Sequence, residues 1–543
     1  MDSGRDRSRS EGSLSGRSVA VIGGGFGGLS TACYLAEVGA DVEILEKNEE
    51  IGGRASTLDA EGFKFDMGPS WYLMPDVFER FFGHFGKQPE DYYDLERLDP
   101  HYRIFWKDGD RLDITPDLDQ VRATFEARES GAAEAFDEYV DNSAANYRRS
   151  MDGFVYTDRP RYRDWIDSEV MRAVPVGLQL LSTMDDYVSG FFDNPKLQQV
   201  MQYTLVFLGG APSNTPAIYN MMSHVDFNMG VYYPEGGISA VVDAFADLAR
   251  ERGATISTGA EVTELTHRRE GFSVHTEDGE RRPDIVVSDA DYAHTEQELM
   301  PEHERGYSEA YWEDRTYAPS AFLLYLGVEG DVDPLAHHTL VLPTDWDPHF
   351  AQIFDEPAWP DDPAYYLCVP SRTDDTVAPD DHSALFALVP IASELEDTPE
   401  IRDRYRDSIL EDIATNTGVD LDGRIVFEER FSISDFADRY NATAGSALGL
   451  AHTLRQTSLF RPPHRSEAVP DLYFTGAYTT PGIGMPMCVV SGEHAAKAVL
   501  DDRGRDSRSA ETGTGGAEET TGTDTTAIAN RLLSGPLAGL LRR

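Results

Sequence analysis

Residues 18–54 read SVAVIGGGFGGLSTACYLAEVGADVEILEKNEEIGGR, and their reading decides the fold. Ser18 to Ile22 is a short Val-rich apolar run, the pattern of a strand buried on both faces in a parallel sheet. Gly23, Gly25 and Gly28 follow in G-x-G-x-x-G spacing. Leu29 to Val38 repeats apolar residues at helical intervals until Gly39 ends the run. Val42 to Leu45 is a second strand with Glu46 at its carboxyl end. Strand, glycine turn, helix, strand and acid stand in the order of a dinucleotide-binding βαβ unit. Gly23 permits the tight turn, Gly25 lets backbone approach a pyrophosphate, and Gly28 lets the helix pack on the strand. The helix N-terminus offers free N–H groups and a positive dipole end to phosphates. Glu46 is placed to accept ribose hydroxyls.

Just beyond the acid come Lys47 and then Ile51-Gly52-Gly53-Arg54. The paired glycines let a second loop cross near the pyrophosphate, and Arg54 supplies a neutralising cation. Lys47, Gly53 and Arg54 join the cofactor-binding set. The run as a whole resembles the N-terminal FAD signature of the amine oxidase and phytoene desaturase superfamily, which points to FAD rather than NAD.

The chain has 543 residues, enough for two or three domains. Acids outnumber bases 96 to 47, giving a formal charge of −49 spread along the whole length. That spread argues against an acidic tail and against nucleic-acid binding. Self-repulsion on this scale is tolerable where salt screens it within about 3 Å at 1 M, so the composition reads as that of a halophile's cytoplasmic protein. Cys33, Cys368 and Cys488 are far apart and in apolar surroundings, without a disulfide or metal spacing. No run of about eighteen apolar residues exists to span a membrane. Residues 1–17 are polar, lack the apolar core of a secretory signal, and are expected to form a disordered tail.

Further along, Asp59 to Asp66 reads as a hairpin, followed by Asp66-Met67-Gly68-Pro69-Ser70. Residues 97–115 alternate as strands around an Asp108-Gly109 turn. Residues 117–230 look helical and rich in Leu, Met, Phe and Tyr, a composition that fits either plain core or a greasy tunnel for an apolar ligand. Tyr232 to Gly237 opens a helix to Arg252, and strands around Val262 and Ile285 to Ser288 return the chain to the nucleotide sheet. Residues 316–425 read as a mixed sheet. His337 and His338 are adjacent, and adjacent residues in a strand face opposite ways, so no metal site is expected there. Leu472 to Ala477 is a last parallel-type strand, and the Gly- and Pro-rich segment to Pro486 opens a helix ending near Leu500.

At this extent, from Ser18 to Leu500, the chain resembles the bacterial and archaeal phytoene desaturases, the carotenoid desaturase and isomerase family. The resemblance rests on the signature through Arg54, Asp66-Met67-Gly68-Pro69, Pro234-Glu235-Gly236-Gly237, Leu335-Ala336-His337-His338-Thr339, and Gly476 through Gly492 with Pro481-Gly482-Ile483-Gly484-Met485-Pro486. It implies an α/β fold: a Rossmann-type FAD-binding domain built from 18–116, 231–300 and 426–502, a helical insertion at 117–230, a mixed-sheet substrate domain at 301–425, and a low-complexity tail at 503–543. It also implies that Gly68 and Pro69 line the flavin, that the Val262 backbone meets the adenine, and that Gly476, Gly484 and Met485 complete the cofactor site.

The implied activity is FAD-dependent desaturation of an apolar polyene, phytoene towards lycopene. A hydride passes to the flavin, and oxygen or a quinone takes the electrons. The protein is expected in the cytoplasm, in peripheral contact with the membrane that dissolves its substrate. A later carotenoid 3,4-desaturase or an isomerase is the alternative, because tunnel shape and not motif separates them. An amine or protoporphyrinogen oxidase and a prenyl-protein escort are more remote. No general base stands out; Asp185 and Asp186, set amid apolar helices, are the candidates. Residues 528–541 are amphipathic enough for a short interfacial anchor.

Overall fold

The computed structural model describes residues 14–159, 182–453 and 455–511. The chain divides into two units, residues 1–500 and 501–543. Of the second, the described part continues the helix Met485–Glu511. That helix runs past the end expected at Leu500. Residues 512–543, including the candidate anchor at 528–541, lie outside the described residues.

The first unit is built on β1 (Ser18–Ile22), α1 (Phe26–Glu37) and β2 (Asp41–Leu45). β1 is central in a five-stranded parallel sheet. The order is Leu472–Phe474, Ile285–Ser288, β1, β2, Thr255–Ser257. Val19 to Ile22 and Ile285 to Val287 are buried, as the continuous apolar runs of a parallel sheet require. α1 starts at Phe26, earlier than the apolar spacing suggested, because the glycines themselves form its first turn. It packs against the helix Ile238–Glu251, where the Phe26 and Phe245 rings meet edge to face at 5.2 Å. Cys33 is fully buried in this seam, in the core role expected of it.

A second sheet has seven strands. The order is Ile425–Phe431, Ser320–Glu329, His382–Ile391, Tyr365–Cys368, His338–Leu342, Tyr102–Trp106, Arg111–Ile114. All pairings are antiparallel except His338–Leu342 with Tyr102–Trp106. The strands Tyr102–Trp106, Arg111–Ile114 and Ile425–Phe431 thus lie in the mixed sheet, although the sequence reading counts 18–116 and 426–502 with the FAD-binding domain. Alternation reveals a strand and its buried face but not the sheet it joins.

In the region 117–230 the described elements are helical, including Leu118–Arg128, Ala132–Ser150, Met184–Val188 and Pro195–Gln202. Residues 160–181 of the region expected to be helical lie outside the described residues. Phe125, Phe136, Tyr139, Leu197, Met201 and Phe227 from this insertion share one core with Tyr102, Trp106, Leu340, Tyr366 and Phe386 of the mixed sheet. Of the tail expected to be disordered at 1–17, residues 1–13 lie outside the described residues, while Leu14 is 1% exposed and Arg17 pairs with Asp284 at 3.2 Å. A single buried leucine suffices to tie down a short polar lead-in.

Candidate functional site

The carboxyl ends of β1 and β2 gather the glycine-rich segments into one cradle. Gly23 has φ +99°, a conformation that favours glycine. The N–H of Gly52 donates to the Gly24 carbonyl at 2.8 Å, so the second loop crosses the first. Gly53, also left-handed at φ +56°, leaves its missing side chain facing Gly25 at 3.6 Å. A side chain on Gly28 would run into the Gly23 carbonyl, which is the close helix–strand contact expected of that position. Gly68 lies against the Arg54 carbonyl, where a β-carbon would stand at 2.7 Å. Gly476, at φ +88°, touches Gly27 and donates its N–H to Ser491 Oγ at 2.8 Å. Gly484 is left-handed at φ +117°, and Met485 heads the final helix. Ser30 Oγ, bonded to the Val489 carbonyl at 2.8 Å, clamps that helix to α1.

Glu46 is 5% exposed. Its Oε2 accepts the Gly24 N–H at 2.7 Å and its Oε1 the Asn48 N–H at 2.8 Å. Oε1 also accepts from Asn48 Nδ2 at 3.2 Å, so of the about four lone-pair positions of a carboxylate it is Oε2 that retains capacity for a ribose hydroxyl. Backbone bonds from Gly259 to Asn48 (2.9 Å) and from Ala260 to Glu46 (2.7 Å) bring the segment ending in Val262 beside this acid. Val262 itself is buried at the start of Val262–His267.

The cradle fits an anionic dinucleotide on one specific observation. Arg54 has two guanidinium nitrogens, Nε and Nη2, shut off from solvent and without a hydrogen-bond partner. A desolvated cation without an anion is costly, and a pyrophosphate would satisfy it. Lys47 is placed differently. Its ammonium donates to Asn441 Oδ1 at 2.9 Å and lies 3.6 Å from Glu261, so it ties the 438–441 segment to the nucleotide domain rather than facing the cradle.

Sequence reading missed Asp289. Its carboxylate lies under Gly25, Gly27 and Gly476 and receives N–H groups from Gly28 and Gly25. Burial, with Glu46 as a second negative charge, raises its pKa to about 7.

A second cluster stands where three parts of the fold meet. Ser70 and Trp71 directly follow Gly68-Pro69. Tyr102, His338 and Tyr366 come from the mixed sheet, and Asp226 from the helical insertion. Trp71 stacks on His338 at 4.1 Å and 8°. Tyr366 Oη lies 2.8 Å from Ser70 Oγ and 2.6 Å from His338 Nδ1. The Tyr102 hydroxyl donates to Asp226 Oδ2 at 2.8 Å, while Oδ1 has no partner. Burial pushes the Asp226 carboxyl up to about 7. Asp185 and Asp186, by contrast, are exposed in the first turn of Met184–Val188, where acids complement the helix dipole. They are not part of this cluster.

His337 and His338 do not diverge as their adjacency suggested. The strand begins only at His338, so alternation does not govern His337, and the two rings lie 4.5 Å apart.

The family model described as flavin containing amine oxidoreductase matches residues 26–500. A carotenoid 3,4-desaturase from Haloarcula japonica is 66% identical over 490 residues, covering 90% of this chain and 99% of the relative. A zeta-carotene-forming phytoene desaturase from Myxococcus xanthus is 32% identical over 497 residues, covering 90% and 95%. Among solved structures, a putrescine oxidase with putrescine bound has a TM-score of 0.58 at 13% identity, covering 89% of this chain and 99% of that one. That last likeness shows the fold.

Proposed function

The chain belongs to the flavin-containing amine oxidoreductases, within their carotenoid desaturases, and we propose that it introduces the 3,4 double bond of a carotenoid. The observation that carries this reading is the 66% identity, over nearly its whole length, to a carotenoid 3,4-desaturase, against 32% to a phytoene desaturase. The alternative set beside phytoene desaturation thus becomes the main reading. The haloarchaeal source of that relative agrees with the acidic composition.

FAD is the cofactor; the Gly23–Gly28 turn and Arg54 would hold its pyrophosphate and Glu46 its ribose. When bound it supplies the two-electron acceptor for hydride. The chain's own part is to align an uncharged polyene, exclude water and take a proton. Loss of hydride from C4 leaves positive charge delocalised over the conjugated chain, which makes the C3 proton acidic. A carboxylate of pKa near neutrality is a competent acceptor, and Asp226, buried with Tyr102 and Tyr203 facing it and Oδ1 without a hydrogen-bond partner, is the candidate for that role. The Tyr102 hydroxyl orients that carboxylate through Oδ2.

The apolar substrate is dissolved in lipid, so peripheral contact with a membrane is part of this proposal, as are oxygen or a quinone as terminal acceptor and a cytoplasmic location. Among the described residues, no helix is long and apolar enough to cross a membrane. Aerobic incubation of the purified yellow protein with lycopene in liposomes tests the reading. Lycopene's C3–C4 bonds are saturated, so its visible bands should move to longer wavelength as conjugation extends. Unchanged lycopene bands beside coloured products from phytoene would return the assignment to phytoene desaturation.

A further inference from the structure

The mixed sheet places a His, a His and a Cys together deep in the protein. His338 and Cys368 are directly opposite one another in antiparallel register, the arrangement in which cross-strand side chains meet. His337 precedes the strand, and its carbonyl accepts the Val369 N–H at 2.8 Å, which holds it to the same corner. One ring nitrogen from each histidine and Cys368 Sγ lie within 4.8 Å of one another. The three residues are 5%, 0% and 2% exposed.

Each imidazole is also oriented. His337 Nδ1 lies 2.6 Å from Thr373 Oγ1, and His338 Nδ1 lies 2.6 Å from Tyr366 Oη. Both Nε2 atoms are buried without a partner. An outer hydrogen bond on one nitrogen and a free lone pair on the other is how metal-binding histidines are held. Two imidazoles and a thiolate make a donor set suited to zinc-class divalent ions.

We propose that His337, His338 and Cys368 bind one zinc-class divalent ion, with a fourth, non-protein ligand completing a tetrahedron. Tetrahedral zinc with two nitrogens and a sulfur sets the ligand atoms about 3.3–3.6 Å apart, so closing from a spacing of at most 4.8 Å needs side-chain movement of about an ångström or less. The ion supplies the positive charge that lets the thiol ionise, and the proton leaves to solvent on binding. Bound there, it would lock the Ala336–His338 corner to Tyr365–Cys368 beside Trp71.

The test uses untagged holoprotein grown with zinc and, separately, with cobalt. Elemental analysis should find about one ion per chain. The cobalt form should show d–d bands on the red side of the flavin absorption and sulfur-to-cobalt charge transfer at shorter wavelength. Cys368→Ser should remove the charge transfer, and His337→Gln should empty the site, with flavin content and melting temperature reporting that each variant is folded. A folded, flavin-loaded wild type without a stoichiometric metal overturns the proposal. So does ion content that survives both substitutions, which would place the ion elsewhere; Asp158, His464 and His494 are the other trio at such distances among the described residues. Neither result depends on which carotenoid the enzyme desaturates.

Discussion

The Asp289 carboxylate occupies the space that a side chain on Gly25 would need: a β-carbon there would stand 2.6 Å from Asp289 Oδ2. Gly25 has an ordinary backbone, with φ −78°, so glycine is required for room and not for conformation. The residue that takes the room directly follows Ile285–Ser288, the strand paired with β1, 264 positions along the chain by number.

Gly25→Ala should therefore weaken FAD binding by about tenfold or more, since overpacking of this kind costs about 1–3 kcal/mol. The flavin-to-protein absorbance ratio after gel filtration measures it. Full flavin content in the alanine variant would show that the carboxylate yields without cost.

Asp289→Asn separates charge from shape. With the folded pKa raised to about 7, the neutral acid is favoured in the folded state. Its stabilising contribution is complete below the ordinary carboxylate pKa of about 4 and is lost as pH rises to about 7. The wild type should lose melting temperature over that window more steeply than the asparagine variant. The ionised form also repels a pyrophosphate, so FAD affinity should fall as pH passes 7 in the wild type and stay flat in the variant. Parallel pH profiles would remove Asp289 from the cofactor's electrostatics.

Asp226→Asn should slow anaerobic flavin reduction by carotenoid about 10²–10⁴-fold, the usual range for a lost general base, with flavin content unchanged. In the wild type the rate should rise with pH through about 7 as the carboxyl ionises; Tyr102 and Tyr203 are the hydroxyls facing it. Asp226→Glu should recover part of the rate and the pH limb. An asparagine variant as fast as wild type would exclude Asp226 as the proton acceptor.

The charge of −49 predicts a melting temperature that climbs with KCl concentration, because the Debye length shrinks from about 10 Å at 0.1 M to about 3 Å at 1 M. Thermal melts across that range should shift upward without a change in flavin content. A salt-independent melt would contradict screening as the basis of stability.

The parts of this fold that were legible in sequence are the ones whose function is local. A turn such as Gly23, a close packing such as Gly28 and an acid at a strand end such as Glu46 are encoded within a few residues of the contact they make. Gly476 and Gly484 were legible for the same reason, as glycines in a strand-to-helix loop. The other findings depend on pairing across the chain. Asp289 meets Gly25, and Tyr102 meets Asp226 across 124 positions. His338 meets Cys368 only because two strands share a register. Lys47 sat beside the right acid, but its long side chain reaches Asn441. A lone acid inside a Met- and aromatic-rich stretch, as Asp226 is, was the one local sign of the buried cluster. Asp185 and Asp186 drew attention by a similar setting, yet a first-turn position turned them outward.

The most direct test of the account mixes the oxidised holoprotein anaerobically with lycopene or with phytoene, each in liposomes at molar KCl, and follows the flavin band. With 3,4-desaturation, lycopene bleaches the flavin while its own bands move to longer wavelength, and phytoene leaves the flavin oxidised. Bleaching by phytoene with lycopene inert would contradict 3,4-desaturation as the function of this site.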